Sequence, residues 1–253
     1  MPDNEFNKTY LILGASSDLG TELVSKLNAE GPSDEKKLFI AHYNSSKKKL
    51  KSIPLNSGNK LVCVQADLSD MGAVDNLIEE TKKMTDAPTH IVHLAAPSFN
   101  YMRLKDFNRD ALVRSMDIQV CSFAKITQAF LPIMAKRKRH DKIVVMLTSY
   151  VLDIPPKFMI DYVTVKHALL GLTKSLAADY TGKGVNINAI SPSMIETKFL
   201  KNIDERIIQI AAEESPEKRN ATPADIVPII QFLLSDAANY IHGANVSATC
   251  GGR

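Results

Sequence analysis

Cysteine is scarce: Cys63, Cys121 and Cys250 are the only three in 253 residues. They lie far apart, are odd in number and include no C-x-x-C pair. Neither a disulfide framework nor a zinc knuckle is supported, and no metal site is expected. Long apolar runs are missing too. No uninterrupted stretch approaches the ~18 residues that suit a bilayer span, so no membrane partner is expected. Met1-Pro2-Asp3-Asn4-Glu5 holds no basic stretch leading into an apolar one, which argues against a secretory leader. The expectation is a cytoplasmic protein with inert thiols. Charge of one sign is also in short supply. The 31 Lys+Arg against 28 Asp+Glu give a formal net charge of +3, too small to argue for a polyanionic partner. No Pro/Ser/Gly linker, repeat or low-complexity tract divides the chain, so residues 1–253 read as one domain.

What is present is alternation. Short apolar runs predict strands at Thr9 to Leu13, Leu38 to Ala41, Lys60 to Gln65, His90 to Ala95, Lys142 to Leu147, Val185 to Ile190 and Asn245 to Ala248. Amphipathic segments fall between them. One places Leu19, Leu23, Val24 and Leu27 on a single face. Another begins near Met71. A long one runs from about Arg109 to Lys136, and one begins near Met159 and ends at Gly182-Lys183-Gly184. Strand and helix in repeated alternation predict an α/β fold: a doubly wound parallel sheet of about seven strands with helices on both faces. Ligands of such folds bind at the carboxyl ends of the strands. Two basic clusters, Lys47 to Lys49 and Lys136 to His140, have no interleaved aromatics, so nucleic acid is not expected. The second suits a helix end, or an acidic carrier protein.

The first strand runs into Gly14-Ala15-Ser16-Ser17-Asp18-Leu19-Gly20. Small residues there let the backbone approach a pyrophosphate, and the following helix offers free N–H groups. The same turn would serve as a plain strand-to-helix connection capped by Ser17 or Asp18. After the second strand come Tyr43, Asn44 and Ser45, then Lys47, Lys48 and Lys49, with no carboxylate to bind a ribose 2′-hydroxyl. That composition tolerates a 2′-phosphate, so NADP(H) is expected over NAD(H). Tyr162 and Lys166 stand at i, i+4 on one helix face. A cation beside a tyrosine stabilises its phenolate and makes it a usable acid. Ser149, at the end of the fifth strand, is positioned to hydrogen-bond a substrate carbonyl.

From Thr9 to Gly252 the chain resembles the short-chain dehydrogenase/reductase family, and most closely its ketoacyl-reductase-like members. The resemblance rests on the glycine turn, the Ala-Asp-Leu ending at Leu68, and Ser149 thirteen residues before the Tyr-x-x-x-Lys of Tyr162 and Lys166. It rests also on Asn188 to Thr197 and the closing Gly251-Gly252. It implies a single Rossmann-type domain acting on a ketone or secondary alcohol, small or carried on an acyl carrier. Asp67 and Leu68 would bracket the adenine and Ala95 would line the cofactor. Pro192, Ile195 and Thr197 would sit at the nicotinamide and diphosphate. Ser149 would orient the carbonyl, Tyr162 would donate the proton, and Lys166 would bind the nicotinamide ribose. A homo-oligomer, dimer or tetramer, is implied through the long central helices. Residues 198 to 216 would form a helical lid, with Asp153 to Ile160 as an apolar wall opposite.

Four positions depart from the family pattern. Asp18 replaces the middle glycine of the turn. His93-Leu94-Ala95-Ala96 stands for Asn-Asn-Ala-Gly. Gln119 replaces an asparagine of the catalytic set, and Pro192-Ser193 stands for Pro-Gly. His93 reads as a packed or capping residue. The departures keep a second reading open: a cofactor-sensing or scaffold protein with altered chemistry.

Overall fold

A computed structural model describes residues 5–32, 34–98 and 101–252. Met1 to Asn4, part of the segment argued above to lack a leader's pattern, lie outside them. The strands are β1 (Lys8–Leu13), β2 (Lys37–Tyr43), β3 (Lys60–Gln65), β4 (His90–His93), β5 (Asp141–Met146), β6 (Val185–Pro192) and β7 (Asn245–Ala248). The helices are α1 (Asp18–Ala29), the single turn α2 (Lys48–Lys51), α3 (Met71–Lys82), α4 (Arg109–Met116) and α5 (Ser122–Arg137). They continue as α6 (Ile160–Asp179), α7 (Glu205–Glu214) and α8 (Pro223–Leu234).

All neighbouring strands pair in parallel, in the order β3-β2-β1-β4-β5-β6-β7. The connection direction therefore reverses between β1 and β4. Their carboxyl ends splay apart there and open a crevice. Because helices cover both faces, the inner strands β4, β5 and β6 are buried at every residue rather than at alternate ones. Leu11, Leu13, Ile91, Ile143 and Val145 pack toward Phe123, Ile126 and Phe130 of α5. Tyr10, Ile12, Val92, Val144 and Met146 pack toward Leu23 and Val24 of α1 and Ile230 of α8.

The long helix expected from Arg109 runs to Arg137 with one irregularity. Its α4 and α5 halves are joined by a π turn, Asp117–Cys121. Arg109–Arg137 is, among the described residues, the one helix long and apolar enough by length and composition to cross a membrane. Here Phe123, Ile126, Phe130, Leu131 and Met134 bury its apolar face in the core. It ends at Lys138, whose left-handed conformation (φ 53°) terminates it within the basic cluster.

Candidate active site

The glycine turn is compressed against its surroundings. At Gly14 (φ +79°) a Cβ would stand 2.9 Å from the Ala95 amide nitrogen, at the end of β4. At Gly20 it would stand 2.6 Å from the Ala15 carbonyl oxygen. Both contacts require glycine. Ser17, not Asp18, caps α1: its Oγ accepts from the Gly20 amide at 3.0 Å and donates to the Gly14 carbonyl at 2.8 Å. Buried His42, not anticipated from the sequence, braces the turn. The Gly14 amide donates to its Nδ1 at 3.0 Å, so its Nε2 carries the proton and donates to the Ala66 carbonyl at 3.0 Å. Burial pushes the His42 pKa down, which keeps the ring in this neutral form.

Beneath this turn lies a cavity of about 420 Å³ along the carboxyl ends of the strands. Ser16, Ser17, Asp18 and Leu19 line one stretch, with Ser45, Ser46 and Lys49 beside them. Pro192, Ile195 and Thr197 line another, and Tyr162 and Lys166 close the far side. Tyr43 and Asn44 do not reach this wall. Tyr43 lies under Lys47, whose Nζ is 5.5 Å from the ring centroid, and the Asn44 carbonyl accepts from Gln65. Asp67 and Leu68 also stand outside it. The Asp67 carboxylate accepts from the Ser69 hydroxyl and amide, which hold its pKa below the usual carboxylate range. Leu68 is buried in the core, and Ala95 packs against that core at the crossing with Gly14.

Lys166 is almost fully buried, and its Nζ donates to the Met146 carbonyl at 2.9 Å. Burial pushes its pKa down to about 7. The same Nζ is 5.9 Å from the centroid of the Tyr162 ring. Burial also drives the Tyr162 pKa up, and a hydrogen bond from the Thr148 hydroxyl opposes that rise. Among the protein's own groups, desolvation is the largest influence on this phenol.

The Ser149 hydroxyl, expected at the substrate carbonyl, is not on the cavity wall. Its Oγ is buried and has no hydrogen-bond partner among the described residues. Thr148 and Tyr150 line the wall instead. The reason is local. Thr148 is the last extended residue (φ −157°, ψ 151°), and the chain then tightens into a 3-10 turn over Ser149–Val151. Each step of that turn rotates the side chain by about a third of a circle, which carries Ser149 away from the crevice.

Gln119 does not reach the cavity wall. It is buried in the π turn, and its Nε2 donates to the Ser115 Oγ at 3.0 Å. Its carbonyl accepts from His93 Nε2 at 2.8 Å. His93 stacks on Phe123 with centroids 4.9 Å apart, and burial pushes its pKa down to about 3. It is a packed, neutral capping residue.

The segment 198–216 is helical over Lys198–Leu200 and α7, and Lys198, Phe199 and Leu200 line the cavity. The expected wall over Asp153 to Ile160 does not line it. Ile154 is 91 % exposed, Phe158 is exposed as well, and Met159 turns into the core. Met194, Phe199 and Leu200 supply the apolar lining, with Tyr150 beside them.

A parallel sheet in this order, with a glycine turn on one side of the switch point and a tyrosine-lysine pair on the other, defines a dinucleotide-fold oxidoreductase. A family model described as enoyl-(acyl carrier protein) reductase matches residues 14–252, and the chain belongs to that family of short-chain dehydrogenase/reductases. It is similar to the oxidoreductase UcpA of Salmonella typhimurium, 28 % identical over 93 % of this chain and 90 % of that protein. It is also similar to the 3-oxoacyl-[acyl-carrier-protein] reductase FabG of Staphylococcus epidermidis, 25 % identical over 97 % of this chain and 98 % of that one. Two solved structures share the fold. The promiscuous reductase LugOII, which catalyses a keto-reduction in lugdunomycin biosynthesis, superposes with a TM-score of 0.83 at 20 % identity, over 98 % of this chain and 99 % of its own. A Serratia marcescens short-chain dehydrogenase/reductase superposes with the same TM-score of 0.83 at 21 % identity, again over 98 % and 99 %.

Proposed function

We propose that this chain is a cytoplasmic, NADP(H)-preferring reductase that moves a hydride between a nicotinamide and a ketone or secondary alcohol. The observation that carries this reading is the grouping of Thr148, Tyr162 and Lys166 at one end of a cavity whose other end is the α1 N-terminus. The compressed turn fits a dinucleotide diphosphate, because Gly14 and Gly20 give up the space that side chains would fill. Ser16, Ser17 and Leu19 would hold the diphosphate, with Ile195 and Thr197 opposite. Ser45 would hold the adenosine ribose or its phosphate. A bound nicotinamide supplies or accepts the hydride.

The protein's own groups do the rest. When substrate binds, the Thr148 hydroxyl turns its proton from Tyr162 to the substrate carbonyl oxygen. The Tyr162 hydroxyl delivers a proton to that oxygen as it becomes an alkoxide. Lys166 stabilises the resulting phenolate with its ammonium. Residues 198 to 216 act as the lid, and Phe199, with its ring 6.4 Å from that of Tyr162, keeps water from the reacting oxygen. Tyr150, Met194 and Leu200 suit an uncharged, apolar ketone, free or carried on an acyl carrier. Assembly is as a dimer or tetramer through the long central helices, a point that sedimentation at several concentrations tests.

The test is turnover of a ketone panel with NADPH. Tyr162→Phe is expected to leave cofactor affinity nearly intact and to cut reduction at least about a hundredfold, as for loss of a general acid. Near-normal turnover in the variant would overturn the assignment. The scaffold reading draws on one observation, the carboxylate of Asp18 in the cavity wall. Tight cofactor binding with no turnover across the panel would favour it.

A further inference from the structure

We infer that the ion pair between Asp18 and Lys49 sets how strongly the cavity distinguishes a 2′-phosphorylated from an unphosphorylated dinucleotide; this rests on the dinucleotide reading above. Asp18 is the first residue of α1, where the amides and the helix dipole attract an anion. Here the protein supplies its own anion. One carboxylate oxygen pairs with the Lys49 ammonium, and the other accepts from the Lys198 amide at 2.8 Å. Burial alone would raise the Asp18 pKa, but the bonds from Lys198 and Lys49 hold it below the usual carboxylate range. The carboxylate is therefore charged at neutral pH.

Two lysines, Lys49 and Lys198, line the cavity near Asp18, and Lys49 is the one beside Ser45 and Ser46. Of the other lysines directly after β2, Lys47 lies over Tyr43, and Lys48 and Lys51 face solvent. Ser45 and Ser46 line the wall beside Lys49 and can donate to phosphate oxygens. A ribose 2′-phosphate at this end must compete with Asp18 for the same ammonium. An unphosphorylated ribose meets no such competition. Asp18 is thus a selectivity residue: it lowers the advantage of the phosphorylated dinucleotide by holding Lys49. The pair is only partly open to water, with side chains 24 % and 41 % exposed, so screening leaves the competition in place.

Asp18→Asn is the informative change. It removes the charge, keeps an oxygen for the Lys198 amide, and leaves the Ser17 cap untouched. The experiment titrates the full chain with NADPH and with NADH at one ionic strength, followed by nicotinamide fluorescence, for the parent, D18N, K49Q and the double variant. The ratio of the NADH to the NADPH dissociation constant is expected to rise about tenfold in D18N, the scale of one charge-assisted hydrogen bond. Most of that gain is expected to disappear when D18N is made together with K49Q. If both dinucleotides bind and D18N leaves the ratio unchanged, the inference is wrong. It is equally wrong if the gain persists undiminished without Lys49. If neither dinucleotide binds the parent, the dinucleotide reading itself fails, and the inference with it.

Discussion

At the scale of single residues, the site is decided by which hydroxyl reaches the crevice. Thr148 and Ser149 are adjacent and chemically alike, yet one faces the cavity and the other is sealed away from it. Thr148→Ala is therefore expected to lower the rate of carbonyl reduction about a hundredfold, the usual cost of one donor to a developing oxyanion. Ser149→Ala is expected to leave the rate nearly unchanged, and it removes a buried group with no partner among the described residues. Steady-state kinetics of the two variants side by side separate the assignments; equal losses would mean that both hydroxyls act. Tyr162 and Lys166 were legible as an i, i+4 pair, because that spacing is a property of any helix. Thr148 was not. Counting residues back from Tyr162 points to Ser149, and only the path of the chain after β5 shows which side chain turns inward. His42 and the pairing of Lys49 with Asp18 were not legible for a related reason. Each contact crosses a turn, between partners 28 or more residues apart in sequence.

At the scale of elements, strands were placed well because a buried parallel strand is an apolar run with sharp ends. β3 and β7 have the expected bounds, and β1, β2, β5 and β6 differ from theirs by a residue or two at one or both ends. β4 stops at His93 rather than Ala95, where Gly14 crosses it at close range. The π turn in the long helix left no mark in the periodicity. Its carbonyl at Gln119 is taken by His93, 26 residues earlier. The turn from α6 into β6 shows a similar dependence. Gly184 has φ +73°, and a Cβ there would stand 2.5 Å from the Lys138 Cα at the end of α5. Glycine was expected there as a helix terminator, but its second requirement is contact with a different helix. Gly184→Ala is expected to destabilise the fold by about 1–3 kcal/mol, through backbone strain and the forced shift of Lys138. Urea unfolding measures this, and an unchanged midpoint would show that the two turns are not in register.

At the scale of the whole molecule, the site is built at a cost to the fold. The unfolded chain holds the Lys166 proton up to about pH 10.5, whereas the folded chain holds it only to about 7. The unfolded state thus binds more protons between these values, so stability rises with pH across that window. Below about pH 7 the full penalty of burying the ammonium is present. Lys166→Met is expected to raise the melting temperature at pH 6.5 by at least about 3 °C while abolishing turnover, and the gain is expected to shrink toward pH 10. Calorimetry at the two pH values checks the sign; a gain that grows with pH would contradict it. The sequence by itself determined the class of fold, the order of its elements and the presence of a glycine turn and a Tyr-Lys pair. These follow from periodicity and spacing, which act within a few residues. Tertiary structure decided which hydroxyl faces the cavity, where the long helix takes its π turn, and that Asp18 holds Lys49. Each of those depends on groups that only the closed sheet brings together, and on a desolvation that exists only once the core has formed.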